Sequence, residues 1–198
     1  MKDKKMRYYK ECFSFMLIMI VLMAAWGLIK DIRTESSAYE VRYEADETFA
    51  TRGNLYRLYI NDEYCCDIDY NRYSITDDNG NTDYKYCTLI KDASNLTYTI
   101  ILCAMFFIVI RSAENAYTGT PFTKKNIDLV KVISLLQLAL AILPGLVRFV
   151  MSFVKFNYYS SSFDITTLYM IAIAFVIGLI AFIFQKGLAL QEDVDSIA

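Results

Sequence analysis

Histidine is missing from all 198 residues of this chain, which removes the commonest general base near neutral pH and the commonest zinc ligand. No Ser-His or Cys-His pairing is available, and neither a P-loop nor a glycine-rich nucleotide motif occurs. No carboxylate pair falls inside an apolar run, no internal repeat is visible and no segment is of low complexity. These absences argue against an enzyme. No catalytic, cofactor-binding or metal-ligating residue is expected.

What the chain has instead is apolar length. It is 56% hydrophobic with a mean hydropathy of +0.29, too greasy for an ordinary soluble domain of this size. The net charge of -2 hides a segregation. Residues 1 to 11 carry five basic and two acidic groups, whereas residues 30 to 96 carry eight basic and fourteen acidic ones. The basic start runs into Cys12 to Ile29, eighteen residues without a charge. At 1.5 Å per residue that run spans about 27 Å, enough for one bilayer crossing. It is longer than a signal-peptide core and no small-x-small cleavage site follows it, so it reads as an uncleaved anchor. Lys2, Lys4, Lys5, Arg7 and Lys10 hold the N-terminus in the cytoplasm under the positive-inside rule. Topology and anionic lipid explain these cations without nucleic acid.

The next stretch is charged and rich in tyrosine, and it alternates with period two. Tyr39, Val41 and Tyr43 form one such set; Tyr56, Leu58 and Ile60 form a second; Tyr64, Cys66, Ile68 and Tyr70 form a third, after a three-residue loop at Asn61-Asp62-Glu63. Tyr84, Tyr86, Thr88 and Ile90 suggest a fourth strand. The expectation is a small antiparallel sheet that leans on the membrane helices, because three or four short strands bury little by themselves.

Three more apolar segments follow. Ala93 to Ile110 is the second crossing and ends at Arg111. The polar interval from Arg111 to Lys131 precedes a third helix whose start is marked by Thr120 and Pro121, with Thr123 as a second cap. Pro144-Gly145 predicts a kink near its outer end. Phe149, Phe153, Phe156, Tyr158 and Tyr159 resemble an aromatic belt, and Ile165 to Phe184 is the fourth crossing. The fold class expected is an all-α transmembrane four-helix bundle with a small antiparallel β insertion outside the membrane, between helices 1 and 2. Its divisions are 1–29 cytoplasmic start and helix 1, 30–92 external β-rich domain, 93–110 helix 2 and 111–126 cytoplasmic loop. Then come 127–150 helix 3, 151–164 outer loop, 165–184 helix 4 and 185–198 cytoplasmic tail. Location is the cell membrane, with both termini cytoplasmic.

Five cysteines divide by place. Cys12 and Cys103 sit in apolar helices, while Cys65, Cys66 and Cys87 fall outside, where oxidation is open to them. If strand parity holds, Cys65 and Cys87 meet across the sheet as a candidate disulfide and Cys66 enters the core. Asp77, Asn79, Asn81 and Asp83 place oxygens at alternate positions as calcium loops do, yet Gly80 is fourth rather than sixth, which favours a plain hairpin turn. Gln137 is the clearest polar side chain at mid-membrane; it marks either a transport path or, more commonly, a hydrogen bond to a neighbouring helix. Ala141-x-x-x-Gly145 and Ala174-x-x-x-Gly178 permit close helix contact, but they leave the oligomeric state unread.

At TGTPFTKKN and again at FQKGLALQEDVDS the chain resembles the YoaS-like family of small bacterial membrane proteins, a domain of unknown function. The matching positions are Pro121, Phe122 and Thr123, then Phe184, Gly187, Leu190, Asp193 and Asp195, with Asp193 standing where the family has Glu and Glu192 just before it. The resemblance covers mainly residues 97 to 198. It implies a partner, because members are often encoded beside a very small helix-turn-helix regulator. The candidate partner-binding residues are therefore Pro121, Phe122, Thr123, Lys124, Lys125, Gly187, Leu190, Glu192, Asp193 and Asp195. Lys124 and Lys125 are expected to pair with Glu192, Asp193 or Asp195, at about 0 to 1 kcal/mol if exposed. The function expected is a non-enzymatic signalling or regulatory membrane protein with the lipid bilayer and that regulator as partners and no direct contact with nucleic acid. A small transporter subunit and a toxin-immunity membrane protein stay open beside it, as does a purely structural role for the two family segments.

Overall fold

The computed structural model describes residues 2–44, 55–68, 83–118, 123–156 and 164–197. Helix α1, Lys2–Arg33, leads through a single 3-10 turn into strand β1, Tyr39–Glu44. Strands β2, Leu55–Ile60, and β3, Glu63–Ile68, complete the sheet. Helices α2, Tyr84–Thr118, α3, Lys124–Phe156, and α4, Ile165–Ile197, follow. The helices contain 32 to 35 residues, about 50 Å each, so every one overshoots the roughly 30 Å of a hydrocarbon core by several turns. Among the described residues, four helices are long and apolar enough to cross a membrane.

Each of the last three helices begins at a side chain suited to capping. The Tyr86 N–H donates to Asp83 Oδ1 at 2.9 Å, the Asn126 N–H to Thr123 Oγ1 at 3.3 Å, and the Thr167 N–H to Asp164 Oδ1 at 2.9 Å. The third helix thus starts from Thr123; Thr120 and Pro121 lie outside the described residues. Asp164 is held below the ordinary aspartate range chiefly by the Thr167 N–H.

Asp83 also explains a correction. The expected fourth strand, Tyr84 to Ile90, is the opening of α2. Its period-two alternation competes with a helical period in which Cys87, Ile90, Ser94 and Ile101 are buried on one face. The helix prevails because Asp83 supplies its cap and this face packs against both the sheet and α3. The sheet accordingly has three strands in the order β1-β2-β3, antiparallel throughout.

The hairpin between β2 and β3 turns on two residues rather than three. Asn61 and Asp62 have φ of 53° and 63°, the left-handed pair of a type I′ turn, and Glu63 already pairs with Ile60. A bulge follows: Leu58 faces Cys66 while Tyr59 faces Tyr64, leaving Cys65 as the extra residue. The bulge reverses the parity beyond it. Tyr64 therefore joins Tyr59 on the outer face, not Cys66 on the inner one.

Leu58, 1% exposed, anchors the inner face. It packs with Cys87 and Ile90 of α2 and Phe156 of α3, and Val41 and Cys66 close around them. The sheet leans on the helices as expected, and Cys66 is in the core. Cys65 is exposed on the bulge, Cys87 is buried on a helix, and all five cysteines are unbonded. Pairing Cys65 with Cys87 across the sheet would need both on strands, and Cys87 lies on α2.

On the outer face Arg42 contacts Glu40 at 2.8 Å, ion-pairs with Asp62 and lies 4.5 Å from the Tyr59 ring centroid. The Tyr64 hydroxyl donates to Asp67 at 3.1 Å, and Asp67 ion-pairs with Arg57 Nε at 3.4 Å. Of the proposed calcium loop only Asp83 is described, and it serves as the cap and as partner of Lys155 at 3.2 Å.

The helices pack as an open row. α1 lies on α2, α2 on α3 and α3 on α4, and among the described residues α1 and α4 share no comparable contact. The four long helices expected are present, with the small antiparallel sheet between the first and the second. Small residues set the α3–α4 contact: Thr167, Ala174 and Ala181 are buried, and the Ser134 hydroxyl donates to the Ala174 carbonyl at 2.8 Å. A Cβ on Gly178 would stand 3.1 Å from Ser134 Oγ, so the Ala174 and Gly178 pair does serve packing. Between α2 and α3 the Ser94 hydroxyl donates to the Pro144 carbonyl at 3.0 Å. α3 runs through Pro144 without ending. Gln137 is half-buried and makes no hydrogen bond among the described residues; Ser134, one turn earlier, is the interhelical donor.

Candidate functional site at the helix ends away from the sheet

The far end of the row brings together three helices. Phe107, Ile110, Arg111, Glu114 and Asn115 recur at intervals of three and four on α2 and so share one stripe. With Lys10 of α1 and Lys125 of α3 they line an open cleft of about 360 Å³. Lys10 Nζ donates to Glu114 at 2.6 Å. Three cations thus surround one carboxylate. Among the described residues neither Arg111 nor Lys125 enters an ion pair, and the buried Asn115 Nδ2 lacks a hydrogen-bond partner. Arg111 and Lys125 are exposed and keep their water, whereas Asn115 Nδ2 has lost water without gaining a partner, which costs free energy.

A second hollow continues from it. Ser14, Leu17, Ile18, Val21 and Leu22 of α1 meet Cys103 and Phe107 of α2 around an almost wholly apolar groove of about 310 Å³. Phe107 lines both. The groove follows the seam between the two helices, towards the sheet end.

Of the residues named from sequence, Thr123 is the α3 cap, Lys124 is exposed and Lys125 lines the cleft. Pro121 and Phe122 lie outside the described residues. In the tail, α4 stays helical well past its apolar run. Leu190 is 65% exposed, Asp193 is exposed, and a Cβ on Gly187 would meet nothing within 4 Å. Glu192 and Asp195 occupy positions on this same helix. The side chains of Glu192 and Asp195, with which Lys124 and Lys125 were expected to pair, lie outside the described ones; Lys131 pairs with Asp128, one turn along its own helix at 3.4 Å. The polar interval is tied to the N-terminal helix through Lys10 and Glu114. Sequence reasoning missed that link, because the two residues are 104 positions apart.

The sheet end holds a second polar cluster the sequence did not announce. Asp31, 7% exposed at the end of α1, accepts the Tyr39 hydroxyl at 3.1 Å, and the Asp92 carboxyl of α2 lies within hydrogen-bonding reach of it. Gly27 lies beside it: a Cβ at that position would stand 3.7 Å from Asp92 Oδ2, an ordinary contact. Lys85 Nζ donates to the Ile32 carbonyl at 3.1 Å and so caps α1. Burial, and then the Asp31 charge, push the Tyr39 phenol above its ordinary range. On the bulge nearby, burial raises the Cys65 thiol, with the neighbouring Cys66 adding to it. No carboxylate pair was visible along any one helix, because these two come from different helices. Among the described residues no group of three or more metal-ligating side chains occurs.

No curated protein and no solved structure matches the chain. Residues 75–197, however, match a family described as a protein of unknown function, DUF2975. The match takes in α2, α3 and α4 but not the three strands. With well over half of its length inside that match, the chain belongs to the DUF2975 family of proteins of unknown function.

Proposed function

We propose that the chain is a multi-pass membrane regulator without catalytic chemistry, with both termini in the cytoplasm and the sheet outside. The observation that carries this is α3. One continuous helix has Phe156 in the Leu58 core of the sheet and, at its other end, Asn126 and Ile127 buried beside the cationic cleft. A displacement of the sheet is therefore passed along a single rigid rod to Lys124 and Lys125. Membrane insertion is supported by side chains that water would not tolerate in such number: Leu135 is 66% exposed, Phe175 72% and Ile183 63%. The basic N-terminal segment, with Arg111, Lys124 and Lys125, supports the orientation through the positive-inside rule.

The output surface is the far end of the row, with the exposed helical tail of α4 beside it. Its partner is the very small helix-turn-helix regulator suggested by the YoaS-like resemblance. The expected result is that the regulator encoded next to this chain co-purifies with it in detergent, and that deleting residues 187–198 releases it and alters transcription of its targets. Failure to co-purify, together with unchanged transcription in the deletion strain, would end the proposal.

A further inference from the structure

The cleft and groove between α1 and α2 have the two halves of one ligand. Lys10, Arg111 and Lys125 converge where Asn115 Nδ2 is buried without a partner, and the apolar groove opens from the same place through the shared wall of Phe107. Glu114 takes up only Lys10 among these cations, leaving Arg111 and Lys125 outside any ion pair among the described residues. An anion with oxygens to spare would satisfy the cations and Asn115 together. A soluble anion explains the cleft but leaves the groove bare.

We propose that this is a binding site for an acidic phospholipid, with the phosphate held by Arg111, Lys125 and Asn115 and one acyl chain laid along the α1–α2 groove. Ser14, Leu17 and Val21 recur one turn apart on α1, so the groove runs parallel to the helix, the direction a chain takes in a bilayer. The polar cleft lies at the end of that groove, where a headgroup sits. Basic pockets between membrane helices on the cytoplasmic side are known to suit acidic headgroups. A lipid here wedges between α1 and the Arg111–Lys125 region and holds the N-terminal helix in the row, whose only extensive helix contact among the described residues is with α2.

The inference rests on the membrane location proposed above, and the two are tested separately. The full chain is first mixed with phosphatidylcholine vesicles and floated; a chain that stays at the bottom overturns the membrane reading and this site with it. Native mass spectrometry of the full chain in neutral detergent then compares phosphatidylglycerol, phosphatidylcholine and glycerol phosphate. Phosphatidylglycerol is expected to bind more tightly than the other two. Arg111→Gln and Lys125→Gln should each weaken it roughly fivefold, while Lys124→Gln, an equal charge change outside the cleft, leaves it unaltered. Val21→Trp, which fills the groove and leaves every cation in place, should also weaken it. Circular dichroism checks that each variant keeps its helix content. Equal affinity for the two lipids, equal loss with Lys124→Gln, or glycerol phosphate binding as tightly as the lipid would each overturn the site in a chain that floats.

Discussion

Leu58→Ala separates the sheet from the helices while leaving the helix contacts intact. Leu58 is 1% exposed and has Cys87, Ile90 and Phe156 around it. Truncating such a leucine costs about 2.7 to 5 kcal/mol, transfer and cavity together. A sheet of three strands, each six residues long, has little else to hold it against α2 and α3. The α3–α4 contacts of Ser134 with Ala174 and Gly178 lie elsewhere and should not change. A local loss of about 3 kcal/mol corresponds to roughly a hundredfold faster amide exchange where opening is local. Hydrogen exchange read by mass spectrometry should therefore show that acceleration over residues 55–68 and none over 133–142. Tyr59→Ala is the control. It removes an outer-face ring under Arg42, a contact worth about 0.5 to 1 kcal/mol, and should accelerate exchange only about two- to fivefold. If the two variants accelerate exchange equally, Leu58 does not anchor the sheet and α3 has no purchase on it.

Three further perturbations bear on the same framework. Asp83→Ala should lower stability by about 1 kcal/mol for the lost α2 cap, plus at most a small share for the partly exposed Lys155 pair, whereas Asp83→Asn keeps the cap; denaturant unfolding of both variants distinguishes the two contributions. Gly178→Val should lower the melting temperature by pushing into Ser134, and Ser134→Ala in the same chain should recover part of that loss; purely additive effects would contradict the close contact. Asp164 has its folded pKa lowered, so its cap adds stability above the unfolded value of about 3.9 and loses it as the pH falls through the lower folded one. The melting-temperature gap between the wild type and Asp164→Ala should therefore be full at pH 7 and shrink below about pH 4; a gap that widens in acid would reverse the assignment.

The four helices and the hairpin were legible because their signals are local: uncharged runs long enough to span a bilayer, and alternation broken at Asn61-Asp62. What misled was alternation that two periods could satisfy. Tyr84 to Ile90 reads as a strand until one sees that Asp83 can cap a helix and that Cys87, Ile90 and Ser94 share a helical face. The bulge at Cys65 was illegible for a related reason, since one inserted residue reverses every later side chain and leaves composition unchanged. Within the distal cleft Lys125 was named, and Arg111 was noted only as a charge marker of topology. Lys10, Glu114 and Asn115 acquire their meaning from helices that meet in space. The same holds for Asp31 and Asp92, which no spacing along the chain could have paired.

Phe156 has a consequence for the order of assembly. A ribosome completes all three strands before α2 begins, so the sheet is among the first parts of the chain to be made. Its wall is nonetheless unfinished, because Phe156 is at the very end of α3. Leu58 waits, half-walled by α2, until the third helix has been synthesised and its far end has packed beside the sheet. The earliest strands thus wait for the last residue of α3, and closing them certifies that α1, α2 and α3 have packed in one row.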